Sequence, residues 1–487
     1  MKVEVMDMIM GAGKSTSAIK TIQSNVDDFY FVVVPYLHEV NRYIDACNGV
    51  LPENNQLIEP CDEETSKSVD LQNILQKRKG SVVTTHSMFE NLKADHMGAI
   101  TNMPLRKGEK VLILDETIDL VKPVNSKRLP KEALQADVEN EYIVVNETTG
   151  LVKWNSFKDE MTGKYPHHEY LKDLCDTGML FFIDDQYLVM EVPLDFLNCF
   201  DRVIVMTYRW SSSIMANYLE VNNIGWKMLD TDTKSILEVY EYIAEHLIIP
   251  DHYSVSGLSK NQMKNVDVSD LKKDFNQSIK AAMAEYDVPI EDILFTTFRN
   301  VGNEDMVDWY KTIKVGKWQR KDSQNRVEPV TFLSHTTLGT NEYANCRLMV
   351  YGLDKHLMPS VHSYFAKRGH SISGDAWALS SLLQWLFRGC IRDRDSGKDM
   401  VAVILSPRMR KMAQEWLAGI KRQVAEGKVE GTSKVLSMGA KERRTKMQQF
   451  KQWKNNNPGA ECFSFEDYIE HGGPALKRKL KAMKKAA

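Results

Sequence analysis

A chain of 487 residues, 43% of them hydrophobic and with a net charge of −3, has material for about three domains with well-filled cores. It holds no run of eighteen apolar residues and no charged-then-apolar leader, which argues against a membrane-spanning helix and predicts a soluble, cytoplasmic protein with no membrane partner. The seven cysteines are scattered, odd in number and without C-x-x-C spacing, so neither a disulfide framework nor a cysteine zinc cage is expected.

The first predicted elements come from "VEVMDMIMGAGKSTSAIK", which starts at Val3. Val3 to Ile9 is apolar enough for a buried strand, Gly11-Ala12-Gly13 makes a flexible turn, and Lys14-Ser15-Thr16 opens a helix. That order is a P-loop. Glycines let backbone N–H groups turn toward phosphate oxygens, the helix N-terminus adds partial positive charge, Lys14 reaches the outer phosphates, and the Ser15 hydroxyl can ligate Mg2+. Met8 stands where the G-x-x-x-x-G-K-[ST] pattern has its first glycine. Because the strand begins so early, a cleavable leader would take the P-loop strand with it.

Further apolar runs follow at 29–35 ("FYFVVVP"), 81–86 ("SVVTTH"), 110–116 ("KVLILDE") and 201–208 ("DRVIVMTY"), with helical stretches between them. This is the pattern of a parallel sheet with crossover helices, assigned to residues 1–225. Residues 121–200 read as an insertion, because "EYIVVNETTGLVKWN" and "DDQYLVMEV" resemble antiparallel hairpins. The pattern restarts with "DILFTTFRN" (292–300), "VTFLSHTTLGTNEY" (330–343), "CRLMVYGL" (346–353) and "MVAVILSP" (400–407), giving a second α/β domain over 226–407 without its own P-loop. Residues 408–487 form a helical, basic extension with 19 lysines and arginines against 8 acids.

Asp115 and Glu116 end an apolar strand downstream of the P-loop. Asp115 is placed to hold Mg2+, and Glu116 to orient or deprotonate an attacking water. In "SSLLQWLFRGCIRDRDSG" (380–397), Gln384, Arg388 and Arg392 recur at four-residue intervals, which predicts one helix face bearing all three and an arginine finger for the γ-phosphate. In "YPHHEY" (165–170), adjacent His167 and His168 would point apart in a strand and no third metal ligand is evident, so the segment reads as a surface loop rather than a metal site.

The ordered motifs of residues 1–407 resemble those of superfamily 2 helicases, in the compact form common in bacteriophages. "MGAGKST" resembles motif I, "VVVPYLHEVNRY" motif Ia, "TTHSMF" the Ib/Ic region, "LILDETI" motif II and "VIVMTYRW" motif III. In the second domain "ILFTTFRN", "SHTTLGTNEYANC" and "QWLFRGCIRD" resemble motifs IV, V and VI. Motif II lacks the third and fourth residues of the DEAD and DEAH forms, and Arg392 follows Gln384 by eight residues rather than seven, which favours Arg388 as the finger. The resemblance implies two tandem RecA-like domains and ATP hydrolysis with Mg2+ in the cleft between them. Gly11, Ala12, Gly13, Lys14, Ser15 and Thr16 would bind ATP, Ser15 and Asp115 would hold the metal, and Glu116, Gln384, Arg388 and Arg392 would act on the γ-phosphate. It further implies sequence-independent binding of nucleic acid, DNA in preference to RNA, through Thr85, His86, Thr297, Arg299 and Thr340, and phage replication or recombination proteins as partners. The expected activity is that of an ATP-dependent helicase or translocase. A terminase-like packaging ATPase and a nucleotide-switched nucleic-acid-binding adaptor are the alternatives.

Overall fold

Continuous apolar runs become strands buried on both faces when helices cover a parallel sheet. The computed structural model describes residues 1–429 except 64, 106, 125–127, 177, 185–186, 300–308, 314–329 and 338–341, together with 449–450, 452–457 and 477, and it has two such sheets. The first half supplies β1 (Lys2–Asp7), β2 (Phe29–Val34), β3 (Leu57–Ile58), β4 (Ser81–Thr85) and β5 (Lys110–Asp115). An inserted segment then supplies β6 (Val121–Pro123), β7 (Ile143–Val145), β8 (Val152–Trp154), β9 (Leu180–Ile183) and β10 (Tyr187–Glu191). The chain returns as β11 (Arg202–Thr207) and β12 (Trp226–Met228). The second half supplies β13 (Leu247–Ile248), β14 (Ile293–Thr296), β15 (Thr331–Phe332), β16 (Leu348–Tyr351) and β17 (Met400–Ile404).

The first sheet is seven-stranded, in the order β12-β1-β11-β5-β2-β4-β3, and every pairing in it is parallel. One strand, β11, separates β1 from β5. The glycine turn after β1 and the acids ending β5 therefore open at the same carboxyl edge, where open α/β sheets bind ligands. The second sheet is five-stranded and parallel, in the order β13-β17-β16-β14-β15. The architecture is two tandem RecA-like α/β domains. β12 carries the first sheet on to Met228, where the sequence reading set the boundary at 225. The helix Pro407–Glu426, at the start of the expected C-terminal extension, packs against the helices Thr233–His246 and Gly374–Leu386 of the second domain. Most of the basic extension beyond it lies outside the described residues.

The insertion is antiparallel as its hairpin patterning predicts, with β6-β10-β9 in one sheet and β7-β8 in another. Its ends meet, since the Val192 N–H donates to Leu120 O at 2.8 Å. The segment of His167 and His168, read from the sequence as a surface loop, is instead built into the insertion, with His168 buried. His168 begins the helix His168–Asp176, and both rings turn toward Asp137 of the helix Lys131–Glu139. Pro166 lacks a backbone N–H, and a proline just before a helix start suits an N-terminus better than a strand interior.

The two domains are packed together on several fronts. Trp416 Nε1 of the second domain donates to the Tyr208 hydroxyl of the first at 2.8 Å. Val361, Tyr364 and Phe365 of the helix Pro359–Lys367 share an apolar cluster with Phe181, Ile214 and Tyr218. Glu191, ending β10, accepts hydrogen bonds from the hydroxyls of Tyr218 and Tyr364 and from Arg368, whose guanidinium lies 4.6 Å from the Phe181 ring centroid.

Inside the second domain, Gly352 follows β16 with its N–H on Thr296 O, and a Cβ there would come within 2.1 Å of the Phe275 ring. Gly352→Ala is expected to destabilise the fold by about 1–3 kcal/mol through overpacking. A urea titration would read this as a lower midpoint with an unchanged slope.

Candidate active site

The site begins with backbone conformation. Gly11 and Gly13 have φ of +83° and +92°, a region closed to most side chains, and so fold the turn after β1 back onto the helix Lys14–Ser24. Gly13 caps that helix without a side-chain acceptor, which leaves the first N–H groups directed at whatever occupies the cavity in front of them. Ala12 is buried beneath the turn, its N–H donated to Ile9 O at 3.3 Å, while Gly11, Gly13, Lys14, Ser15 and Thr16 line the cavity. Lys14 is buried too. Its Nζ donates to Met8 O at 2.9 Å and lies 3.8 Å from Glu116 Oε1.

Asp115 sits at the floor of the cavity. Its Oδ2 accepts from the Ser15 hydroxyl at 3.1 Å and from the Tyr43 hydroxyl at 3.3 Å. Burial, reinforced by the neighbouring Glu116 charge, pushes its carboxyl up to about 6. A hydroxyl and a carboxylate converging in this way are hard oxygen donors of the kind Mg2+ takes, and a cation between them would relieve the burial that raises Asp115.

Glu116 adopts φ +78°, a left-handed conformation rare for a residue with a side chain and costing on the order of 1–3 kcal/mol. Its N–H donates to Met206 O at 2.9 Å, tying it to the end of β11. The strained backbone turns the carboxylate across the cavity. Its Oε2 accepts from Thr207 Oγ1 at 3.4 Å and from Gln384 Nε2 of the second domain at 3.3 Å.

The opposite wall carries Arg388 and Arg392, but not on the expected helix face. The helix Gly374–Leu386 ends before either arginine, Arg388 lies in the turn that follows, and Arg392 ends the short 3-10 helix Cys390–Arg392. Gly389 breaks the helix, and the Cys390 N–H is drawn off to Cys346 O at 2.9 Å beside β16. The turn nonetheless brings both arginines to the cavity, while Gln384 lines the neighbouring interdomain cavity and reaches Glu116 from there. Arg388 is 5% exposed, its Nε has no hydrogen-bond partner among the described residues, and burial, with Arg392 alongside, pulls the guanidinium down to about 10. Burial also lowers Arg392. Two desolvated guanidinia facing a buried lysine across an open cavity suit a multiply charged anion.

Sequence reasoning missed Glu39, Arg42 and Tyr43, on the helix Leu37–Cys47. Glu39 and Arg42 line the cavity and pair at 3.4 Å. The signal was present in "HEVNRY", where spacings of three and four residues set these polar groups on one helical face.

The residues read as nucleic-acid contacts are dispersed. Thr85 caps the helix His86–Glu90 by accepting from Met88 N–H. The His86 ring lies 3.0 Å from Asp115 O, burial lowers its pKa, and it lines a second interdomain cavity with His335, Lys355 and Gln384. Thr297 is fully buried, with no partner for its hydroxyl among the described residues. Arg299 is exposed and lies over the rings of Tyr310 and Phe332. Thr340 is outside the described residues.

The fold and site therefore define a two-domain RecA-like protein with one P-loop cavity between its halves. A family model described as the YonV C-terminal Rossmann-like domain matches residues 231–417. Over 448 residues the chain is 27% identical to the "SPbeta prophage-derived uncharacterized protein YonV" of Bacillus subtilis (strain 168), a match covering 85% of this chain and 98% of that protein. Among solved structures, S. cerevisiae Dbp5 bound to RNA and ADP BeF3 aligns over 86% of this chain and 83% of that chain, with a TM-score of 0.36 and 8% identity. A variant of Dbp5 in the same complex aligns over 86% and 89%, with a TM-score of 0.33 and 9% identity.

Inorganic tripolyphosphate, with neither base nor sugar, is expected to raise the melting temperature, because binding to the native state at a hundredfold excess over Kd stabilises it by about 2.7 kcal/mol. In Arg388→Met the shift should fall by at least half. Differential scanning calorimetry across a tripolyphosphate series would check both.

Proposed function

We propose that the protein is an ATP-dependent nucleic-acid helicase or translocase that hydrolyses ATP in the cleft between its two RecA-like domains. The observation that carries this reading is the Glu116 carboxylate, held at once by Thr207 of the first domain and Gln384 of the second, with Lys14 within 3.8 Å. A group placed to direct water is thereby linked to the position of the other domain. Such a link is what couples hydrolysis to domain movement.

In this mechanism the N–H groups at Gly13 and the start of the following helix cradle the phosphates. Lys14 and Arg388 hold the γ-phosphate from opposite walls, and Glu116 orients the attacking water in line with the departing group. Ser15 and Asp115 would hold Mg2+, which would supply charge neutralisation between the outer phosphates. Gln384 reports the closed cleft to Glu116, and loss of the γ-phosphate removes what holds Arg388 against the P-loop. Exposed Arg299, on the second domain, is the best-placed of the expected polymer contacts. The prophage origin of the Bacillus relative supports a phage setting, and a replication or recombination role on DNA extends this reading further.

Steady-state ATP hydrolysis with and without single-stranded DNA, duplex DNA, forked duplex and single-stranded RNA, at low salt, tests the proposal. One polymer is expected to stimulate turnover severalfold. Glu116→Gln should lower kcat by roughly 10²–10⁴ while binding nucleotide about as well as the parent protein. Polymer-stimulated turnover surviving in a folded Lys14→Ala variant would sink the assignment. Turnover indifferent to every polymer would favour the nucleotide-switched adaptor, and metal-dependent cleavage of DNA the terminase-like ATPase.

A further inference from the structure

We propose that His167, His168 and Asp137 form a zinc-binding site in the insertion, remote from the nucleotide cavity. The three residues come from two helices and the turn that leads into the second, and one ligand atom from each lies within 4.8 Å of the other two. His168 Nε2 is 2.9 Å from Asp137 Oδ1, and His167 Nε2 is 2.8 Å from Asp137 Oδ2. Asp137 and His168 are buried, whereas His167 is partly open to solvent.

The decisive geometry is on the far side of the His168 ring. Its Nδ1 lies 3.1 Å from Met161 O, a carbonyl that can only accept, so Nδ1 carries the proton. In the neutral ring, Nε2 is then a bare lone pair facing a carboxylate oxygen. Two acceptors at hydrogen-bond distance need something positive between them, either a second ring proton or a metal ion. A ring that donates one N–H to a backbone carbonyl while its other nitrogen points at a carboxylate has the orientation of a metal-ligating histidine.

Two imidazoles and one carboxylate suit zinc better than Mg2+ or Ca2+, which take oxygen ligands, and a water entering beside His167 completes four-coordination. The aromatic walls support the same reading. Tyr142, Tyr165 and Trp154 lie 4.7, 4.8 and 5.3 Å from the His168 ring, excluding solvent from the buried side. A metal here would clamp the helix Lys131–Glu139 to the helix His168–Asp176 and to the 3-10 turn Ser156–Met161. The apolar cluster beneath them is small, the situation in which a metal adds most to stability.

The experiment uses the full-length protein freed of any histidine tag and stripped with a chelator, then dialysed against buffered free zinc and measured by elemental analysis. About one zinc per chain is expected, as is the visible absorption of tetrahedral cobalt when Co2+ is substituted. His167→Gln, at the partly open position, and Asp137→Asn should each weaken zinc binding roughly tenfold or more. Circular dichroism and gel filtration would establish that these variants are folded. Failure of the folded parent protein to take up zinc would overturn the proposal and leave a metal-free hydrogen-bonded triad. Undiminished zinc affinity in both folded variants would overturn it equally, by assigning the metal to other residues.

Discussion

The constraint on which the site depends is the placement of one carboxylate, that of Glu116, by a backbone in a left-handed conformation. A standard continuation of β5 would alternate the Glu116 side chain away from Asp115. The positive φ and the hydrogen bond to Met206 turn it into the cavity, where Lys14, Thr207 and Gln384 converge on it. The strand order is what makes this convergence available. Because β11 lies between β1 and β5, Thr207 at its end is a neighbour of both the P-loop and the acid pair.

The cleft is spanned by more than this node. Trp416 reaches Tyr208 at one border, and Glu191 holds Tyr364 and Arg368 at another. Each such hydrogen bond contributes on the order of 0.5–1.5 kcal/mol, and those to charged groups more. Apolar packing joins the domains on two sides, through the helix Pro359–Lys367 against the first domain and the insertion, and through a shared cluster that takes in Met8, Met10 and Tyr208 of the first domain with Leu383, Trp385 and Trp416 of the second.

Much of the fold was legible from the chain alone. The buried strands β2, β5, β11, β16 and β17 announce themselves as unbroken apolar runs, and the insertion as hairpin-like alternation. The short edge strands β3, β12 and β13 carry too few residues to show any period, and the domain boundary was blurred by β12. In the site, glycine turn, lysine, hydroxyl and acid pair were readable because each is required by local chemistry. The arginines were placed in the right neighbourhood on an incorrect element: periodicity saw a continuous helix, while Gly389 and the tertiary bond from Cys390 to Cys346 end it. The convergence of His167 and His168 on Asp137 was invisible for a similar reason, since the partner is distant in sequence and the pair reads locally as part of a surface loop.

The closure of the insertion has a separate meaning for how this chain can vary. Leu120 and Val192 are hydrogen-bonded neighbours, so everything from Val121 to Glu191 leaves the first domain and returns through a single gap in its surface. A segment joined in this way can lengthen, shorten or be exchanged without shifting the register of β5 against β11, because its two ends are already one peptide-pair apart. What it would carry away is Glu191 and with it the grip on Tyr364 and Arg368. Descent with modification can therefore act on this appendage as a unit, changing what the two-sheet body is attached to while the register that aligns its acids stays fixed.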